Sequence, residues 1–308
     1  MVPARTLTRI LFAAACIALV ACNRHPQAPK PKALPAAYLQ AEQAWRAQRV
    51  AELTKPDGWT SLVGLHWLDP GSHYAGSAAG NGIRLAVGPA QFGMFDVRAG
   101  RVRFVPGART DLTIDGQPAR ATTLRADDDP AGASVINFDA GKGVATVIHR
   151  GDRYALRVKH ADAPTRTQFR GLEYWPGGPD WIVDATFVPN PSGQTLDIAN
   201  IIGVVEPTPN PGHVEFKRNG NRYRLEALAN DDGGLFLVFA DRTSGHGSYG
   251  AGRFVDTAPP VNGHVVIDFN QAYDPPCAFT PFATCPLPPP MNRLDLAIKA
   301  GEKAYGGH

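Results

Sequence analysis

Hydrophobic positions follow three regimes along this chain. From Ile10 to Val20 they are continuous. From Ala36 to about Leu53 they recur at helical spacing: Ala is abundant, Gly and Pro are absent, and Tyr38, Ala41 and Trp45 share a face. Lys55-Pro56-Asp57-Gly58 then supplies turn chemistry that ends a helix. The next stretch, Trp59 to Leu68, is apolar enough to be core. Beyond Asp69-Pro70-Gly71 the apolar runs become short and are punctuated by Gly, Pro, Asn and Asp. This pattern predicts strands at 83–87, 95–97, 102–105, 112–114 and 119–124. After Asp127–Pro130 it predicts them at 134–138, 144–149, 154–159, 181–188, 195–201, 213–217, 223–228, 235–240, 265–268 and 294–298. Arg218-Asn219-Gly220-Asn221 is a hairpin signal between two of these. No fixed-period repeat occurs, and helix-rich βαβ alternation is missing. The expected fold is mainly β, with an N-terminal helix and one or two sandwich or barrel-like units.

The continuous run at the start is too short for a membrane span, which needs about 20 residues. It has the length of a signal-peptide core, and Arg5 and Arg9 precede it. It ends in Leu19-Val20-Ala21-Cys22, which resembles the lipobox of bacterial lipoproteins. The resemblance implies cleavage after Ala21, a lipidated Cys22 and attachment to the lipid bilayer. More than one acyl chain satisfies the requirement for stable anchoring. Cys16 is a poorer match, because it would truncate the apolar run. Asn23, where Asp would signal retention in the inner membrane, leans the expected location to the outer membrane facing the periplasm. Residues 22–35 are Pro-rich and slightly basic, a tether that extended polyproline conformations would stiffen. The expected layout is a signal peptide at 1–21, a tether at 22–35, a helix and β unit at 36–126, and a second β unit at 127–308. The Asp127–Pro130 cluster marks that last boundary; a solvated loop inside one continuous assembly is the alternative.

Composition changes this picture in three ways. Loss of Arg5 and Arg9 with the signal takes the formal charge from +3 to +1, so no general attraction to nucleic acid is expected. The 32 Gly and 28 Pro are well above average usage and favour many turns over long helices. Of the 4 Cys, only Cys277 and Cys285 remain after processing and lipidation. In an oxidising compartment a disulfide is the default for such a pair, with a metal-thiolate site and a redox pair as alternatives.

Two further resemblances appear. Gly76-Ser77, Asn81–Leu85 and Asp115-Gly116 before Leu124 follow the turn-and-strand rhythm of a forkhead-associated (FHA) β-sandwich. That family's phosphothreonine site would be absent, since Ser77 stands where an Arg is needed and Ala90–Phe92 holds no Ser/His pair. The second covers most of the mature chain. DGWTSLVGLHWL (Asp57–Leu68), YGAGRF (Tyr249–Phe254), DFNQAYDPPCAF (Asp268–Phe279), CPLPPPMNRL (Cys285–Leu294) and AGEK (Ala300–Lys303) resemble DUF1684, a family of uncharacterised bacterial proteins. It implies a family membership and no activity.

Polar residues gather in that tail among Gly and Pro: Asp241, Thr243, Tyr249, Arg253, Asp268, Asn270, Tyr273, Asn292, Arg293 and Glu302. A rigid loop carrying Arg, Asp and Asn is how a polar ligand site is preorganised. It is also how a buried network closes a loop-rich end. In the first reading Arg253 and Arg293 would grip an anion, with Asn270, Tyr273 and Asn292 as further ligand contacts, and Asp268 or Glu302 would be the acid–base candidate. Other motifs fail. Gly245–Gly250 departs from a nucleophile elbow because His246, not Gly, stands two before Ser248. Gly250-Ala251-Gly252 lacks the third Gly of a dinucleotide loop, so no cofactor is expected. The nine His form no metal-binding spacing, so no metal is expected. The functional expectation is an envelope-anchored binding or structural module for a small polar ligand, a glycan or an envelope protein. A hydrolase or other enzyme using the C-terminal Arg/Asp/Glu cluster is the alternative.

Overall fold

Ala36–Leu53 forms helix α1, with the boundaries that its composition predicts. The computed structural model describes Met1 and residues 33–306, so the signal, Cys16, Cys22, Asn23 and most of the tether lie outside the described residues. The face that α1 turns inward matches the expected apolar stripe only in part, at the half-buried Tyr38 and Trp45. Ala41 is exposed, while Glu42 and Leu53 are buried and Arg46 and Arg49 are mostly covered. Arg46 pairs with Glu42 one turn away and lies 4.0 Å over the Tyr174 ring. The helix is thus fastened to the β framework largely by charged and aromatic side chains. Among the described residues no helix is long and apolar enough to cross a membrane.

The remainder is mainly β, as the short, punctuated runs require. The first strands are β1 (Leu62–Leu68), β2 (Gly71–Gly76), β3 (Ile83–Arg84), β4 (Gly93–Arg98), β5 (Arg101–Pro106), β6 (Thr113–Ile114), β7 (Gln117–Pro118), β8 (Thr122–Leu124), β9 (Ile136–Phe138), β10 (Gly143–Arg150) and β11 (Arg153–His160). They make two sheets, ordered β1-β11-β10-β9-β6-β7 and β3-β2-β4-β5-β8. Phe92, Phe95, Phe104 and Phe138 are buried together in one core. The Phe92–Phe138 pair meets edge-on at 5.3 Å, a favourable geometry for aromatic quadrupoles. The first sheet takes β1 and β6 from before the Asp127–Pro130 turn and β9–β11 from after it, so hydrogen bonding is continuous across that turn.

After the short helix α2 (Pro164–Thr167) come β12 (Ile182–Pro189), β13 (Thr195–Ala199), β14 (Val205–Pro209), β15 (Gly212–Arg218), β16 (Asn221–Ala229), β17 (Leu235–Phe239), β18 (Arg253–Thr257) and β19 (His264–Asp268). Six of them form a curled sheet, β18-β17-β16-β15-β12-β19, over a second core; β13 and β14 form a separate ribbon. The hairpin at 218–221 is present, with Asn219 at φ 49° and Gly220 at φ 80°, the left-handed pair that a tight β-turn demands. Strands β2, β14 and β18 carry Gly, Pro or Arg where the pattern sought apolar residues. Residues 294–298 alternate in burial as a strand would but belong to none of the named sheets; their backbone bonds include Leu294 N–H to the Ala240 carbonyl and Arg242 N–H to the Leu296 carbonyl.

Candidate functional site

Arg253, on β18, is wholly buried. Its guanidinium donates to the carbonyls of Ile298 (2.9 Å), Ala300 (2.5 Å) and Glu302 (3.2 Å) and lies 3.5 Å from the Asp241 carboxylate. Asp241 in turn accepts from the Ile298 N–H at 2.6 Å and the Thr243 hydroxyl at 2.9 Å. This Arg stitches the extended C-terminal segment onto the sheet. Glu302, also at 0 % exposure, accepts from Arg49 Nε at 2.9 Å and from the Asp274 N–H at 2.7 Å. Beside it the Asp274 carboxyl is pushed up to about 8 by burial and by the Glu302 charge, with Arg253, Arg49 and the Tyr305 backbone pulling back only in part. Asp274 therefore holds a proton at neutral pH.

Other predicted site residues are likewise committed. Asn292 is buried, donating to the carbonyls of Glu226 and Val238 at 2.9 Å each and accepting from the Glu226 N–H at 2.7 Å. Asp268 accepts from the Tyr38 hydroxyl at 2.7 Å and from Asn270 Nδ2 at 2.9 Å. Asn270 clasps both backbone groups of Gly178. A Cβ on Gly177 would come within 2.2 Å of the Asn270 oxygen, so the turn must be Gly there. Arg293 is exposed on the surface. The structure thus joins Arg253 to Glu302 and Asp268 to Asn270, but assembles no common site from the predicted set. Ser248 is buried against Thr243 (2.8 Å) and Trp175 Nε1 (2.9 Å), while His246 is exposed and contacts the Ser244 carbonyl, so the two form no nucleophile pair. No group of three or more His, Cys, Asp or Glu that could hold a metal occurs among the described residues.

Of the predicted residues, Tyr273 lines a cleft. This cavity, of about 420 Å³, opens between α1 and the edge strand β18 with its neighbour β17. Helix α1 contributes Trp45, Gln48, Arg49 and Glu52, spaced three, four and seven residues along one face. Trp59, Phe236, Phe254, Asp256 and Pro276 complete the walls with Tyr273. The rings interlock: Phe254 meets Phe236 at 4.8 Å and Tyr273 at 5.7 Å, both edge-on. The Tyr273 hydroxyl donates to Asp256 at 2.7 Å, and burial together with that carboxylate raises its pKa far above the usual range. Asp256 also accepts from Asn230 Nδ2 at 2.9 Å. Arg49 stacks 4.7 Å over the Tyr273 ring while its nitrogens serve Glu302 and the Asp274 carbonyl. Sequence reasoning missed Gln48, Arg49, Glu52 and Asp256. The legible signal was Trp45 with polar residues at i+3, i+4 and i+7, a stripe that a purely apolar reading of the helix passes over.

Cys277 and Cys285 lie beneath this wall, in one apolar cluster with Trp59, Phe236, Phe254 and Tyr273. Both thiols are free, and the backbone N–H of each points at the sulfur of the other, at 3.2 and 3.4 Å. The Cys285 thiol donating to Cys277, with Arg157 nearby, lowers the Cys277 pKa; the same hydrogen bond and burial raise that of Cys285.

A comparison with curated proteins finds no match. Among solved structures, the chain is similar to the solution NMR structure of an uncharacterized protein of Haloarcula marismortui, with 30% identity over 46% of this chain and 81% of that one, at a TM-score of 0.39. The family profile of DUF1684, described as a protein of unknown function, matches residues 167–303. It begins beyond Asp57–Leu68 and beyond Gly71–Leu124, so the forkhead-associated resemblance of the latter gains no support. The match spans the curled second sheet, the wall of the cleft contributed by β17, β18 and Tyr273, and the Arg253 network. This chain belongs to the DUF1684 family.

Proposed function

We propose that this protein is an envelope-anchored lipoprotein that binds a neutral, hydroxyl-rich ligand with an apolar face, that is, a glycan, in the cleft between α1 and β17–β18. The observation that carries the reading is a cavity walled by aromatic rings whose charged groups already hold ion-pair or hydrogen-bond partners. Arg49 is paired with Glu302, Glu52 with Lys55, and Asp256 is satisfied by Tyr273 and Asn230. A site built for an ion would present an unmatched charge to it. This one offers flat apolar surface and carboxylate and amide lone pairs, which suits a sugar ring stacking its C–H face while its hydroxyls reach polar edges. Binding is favoured over hydrolysis because Asp268 and Glu302, the acid–base candidates, are held by structural partners. Attachment through Cys22, with residues 23–35 as the tether ahead of α1, would hold the cleft in the envelope, where glycans are the abundant polymer.

The test is to titrate residues 23–308 with soluble oligosaccharides while following tryptophan fluorescence and heat. Binding should quench or shift the Trp45 and Trp59 emission. Trp45→Ala should weaken affinity about 10–100-fold, the loss expected for a central aromatic contact. A panel of neutral saccharides that leaves both signals unchanged would sink the glycan reading.

A further inference from the structure

A second cavity, of about 240 Å³, lies between the β13–β14 ribbon and β16, and Phe236 lines it as well as the cleft. Resting on the glycan reading above, we propose that the two cavities are one groove with Phe236 at its waist, and that the ligand is a chain of several sugar units rather than a single ring.

Three observations carry this. The second cavity has the polar edges that a chain would need beyond the aromatic cleft. Asn200 is 7% exposed and lines it. Its Oδ1 is taken by the N–H groups of Ile202 and Val204, at 3.2 and 3.0 Å, which fixes the amide orientation. Nδ2 donates to no described protein atom, so this mostly buried side chain keeps one donor open to the cavity. Its charged groups also hold partners, an ion pair for Arg150 and a backbone hydrogen bond for Glu206. Arg150 pairs with Asp127 at 2.8 Å and donates to Thr284 at 3.2 Å, and Glu206 accepts from the Gly151 N–H at 2.8 Å. The same neutral, hydrogen-bonding chemistry therefore runs through both cavities. Finally, the two walls are joined. Pro276 borders the cleft and Pro286 the second cavity, and the neighbouring Cys277 and Cys285 face each other. Ile201 N–H to the Cys285 carbonyl and Leu287 N–H to the Ala199 carbonyl bind that loop to the ribbon. Ile198, Leu228 and Phe236 share one apolar floor with both cysteines. Small-molecule sites span roughly 300–1,000 Å³; the second cavity is below that range alone and falls within it only as the extension of the first.

The probes are β-1,4-linked oligomers of glucose and of N-acetylglucosamine, from two to six units, titrated into residues 23–308. Affinity should rise at least about 10-fold from the dimer to the length that spans both cavities, then level off. Asn200→Asp keeps the oxygen that holds the turn and removes the donor; it should abolish the gain with length. Thr284→Val, which leaves the turn untouched, should reduce the same gain. Equal affinity for dimer and hexamer, both weakened by Trp45→Ala, would overturn the groove and leave the cleft reading standing. A length gain indifferent to Asn200→Asp and Thr284→Val, or a peptide competing from the second cavity, would also overturn it. Failure of every oligomer to bind would remove the reading beneath it too.

Discussion

Asp274 offers the sharpest test of the buried network. Its carboxyl is wholly buried beside Glu302, and its ionisation is pushed up to about 8. In the unfolded chain it titrates near 4. Below about pH 4 both states hold the proton and the group is neutral in its effect. As pH rises from about 4 to 8, the unfolded state ionises while the folded state does not, so the folded state binds more protons and stability falls. Above about pH 8 both are ionised and the loss is complete. At about 1.4 kcal/mol per unit, the full window corresponds to roughly 5 kcal/mol. Local relaxation and water entry around the new charge reduce this, and we expect at least about 2 kcal/mol to be read. Asp274→Asn mimics the neutral, protonated form, while the backbone N–H bond to Glu302 is untouched. The assay is guanidinium unfolding of both proteins at pH 5, 6.5, 8 and 9. Other titrating groups cancel in the difference. The advantage of the Asn variant over the wild type should grow steadily from pH 5 to pH 9 and reach at least about 2 kcal/mol at pH 9. A stability difference that does not change with pH, or that favours the wild type more as pH rises, would refute the reasoning.

Two further outcomes are expected, in addition to the binding experiments above. Cys22→Ala should shift the protein from the membrane to the soluble fraction or block signal processing, read by fractionation and labelling with a palmitate analogue; continued labelling of the variant would point to Cys16. In the oxidising envelope Cys277 and Cys285 should be recovered as an intramolecular disulfide by non-reducing mass spectrometry, and Cys277→Ala should cost about 2–3 kcal/mol and weaken the longest sugar oligomers most, because that loop joins the two cavities; recovery of two alkylatable thiols from oxidised preparations would rule the bridge out.

The chain's local grammar was enough to determine much of this molecule. Helix α1 could be bounded from Ala abundance and the Lys55–Gly58 turn, and the β class from short apolar runs between Gly and Pro, because helix propensity and turn chemistry are properties of neighbours in sequence. Asn219-Gly220 specified its hairpin for the same reason: only residues tolerant of positive φ can make it. What required the tertiary structure was the fate of polar residues. Arg253, Asp268, Asn292 and Glu302 read equally well as ligands or as ties, and only burial and partners a few dozen to more than two hundred residues away, such as Tyr38 on Asp268, separate the two. Arg49 and Asp256 carry no local mark of a site; the cleft exists because α1 is clamped by a charge pair to Glu302, 253 residues later in the chain. A buried charge draws its stability from its partners rather than from its own side chain. Its place is therefore decided by which distant groups the fold brings to it, information that no window of the sequence contains.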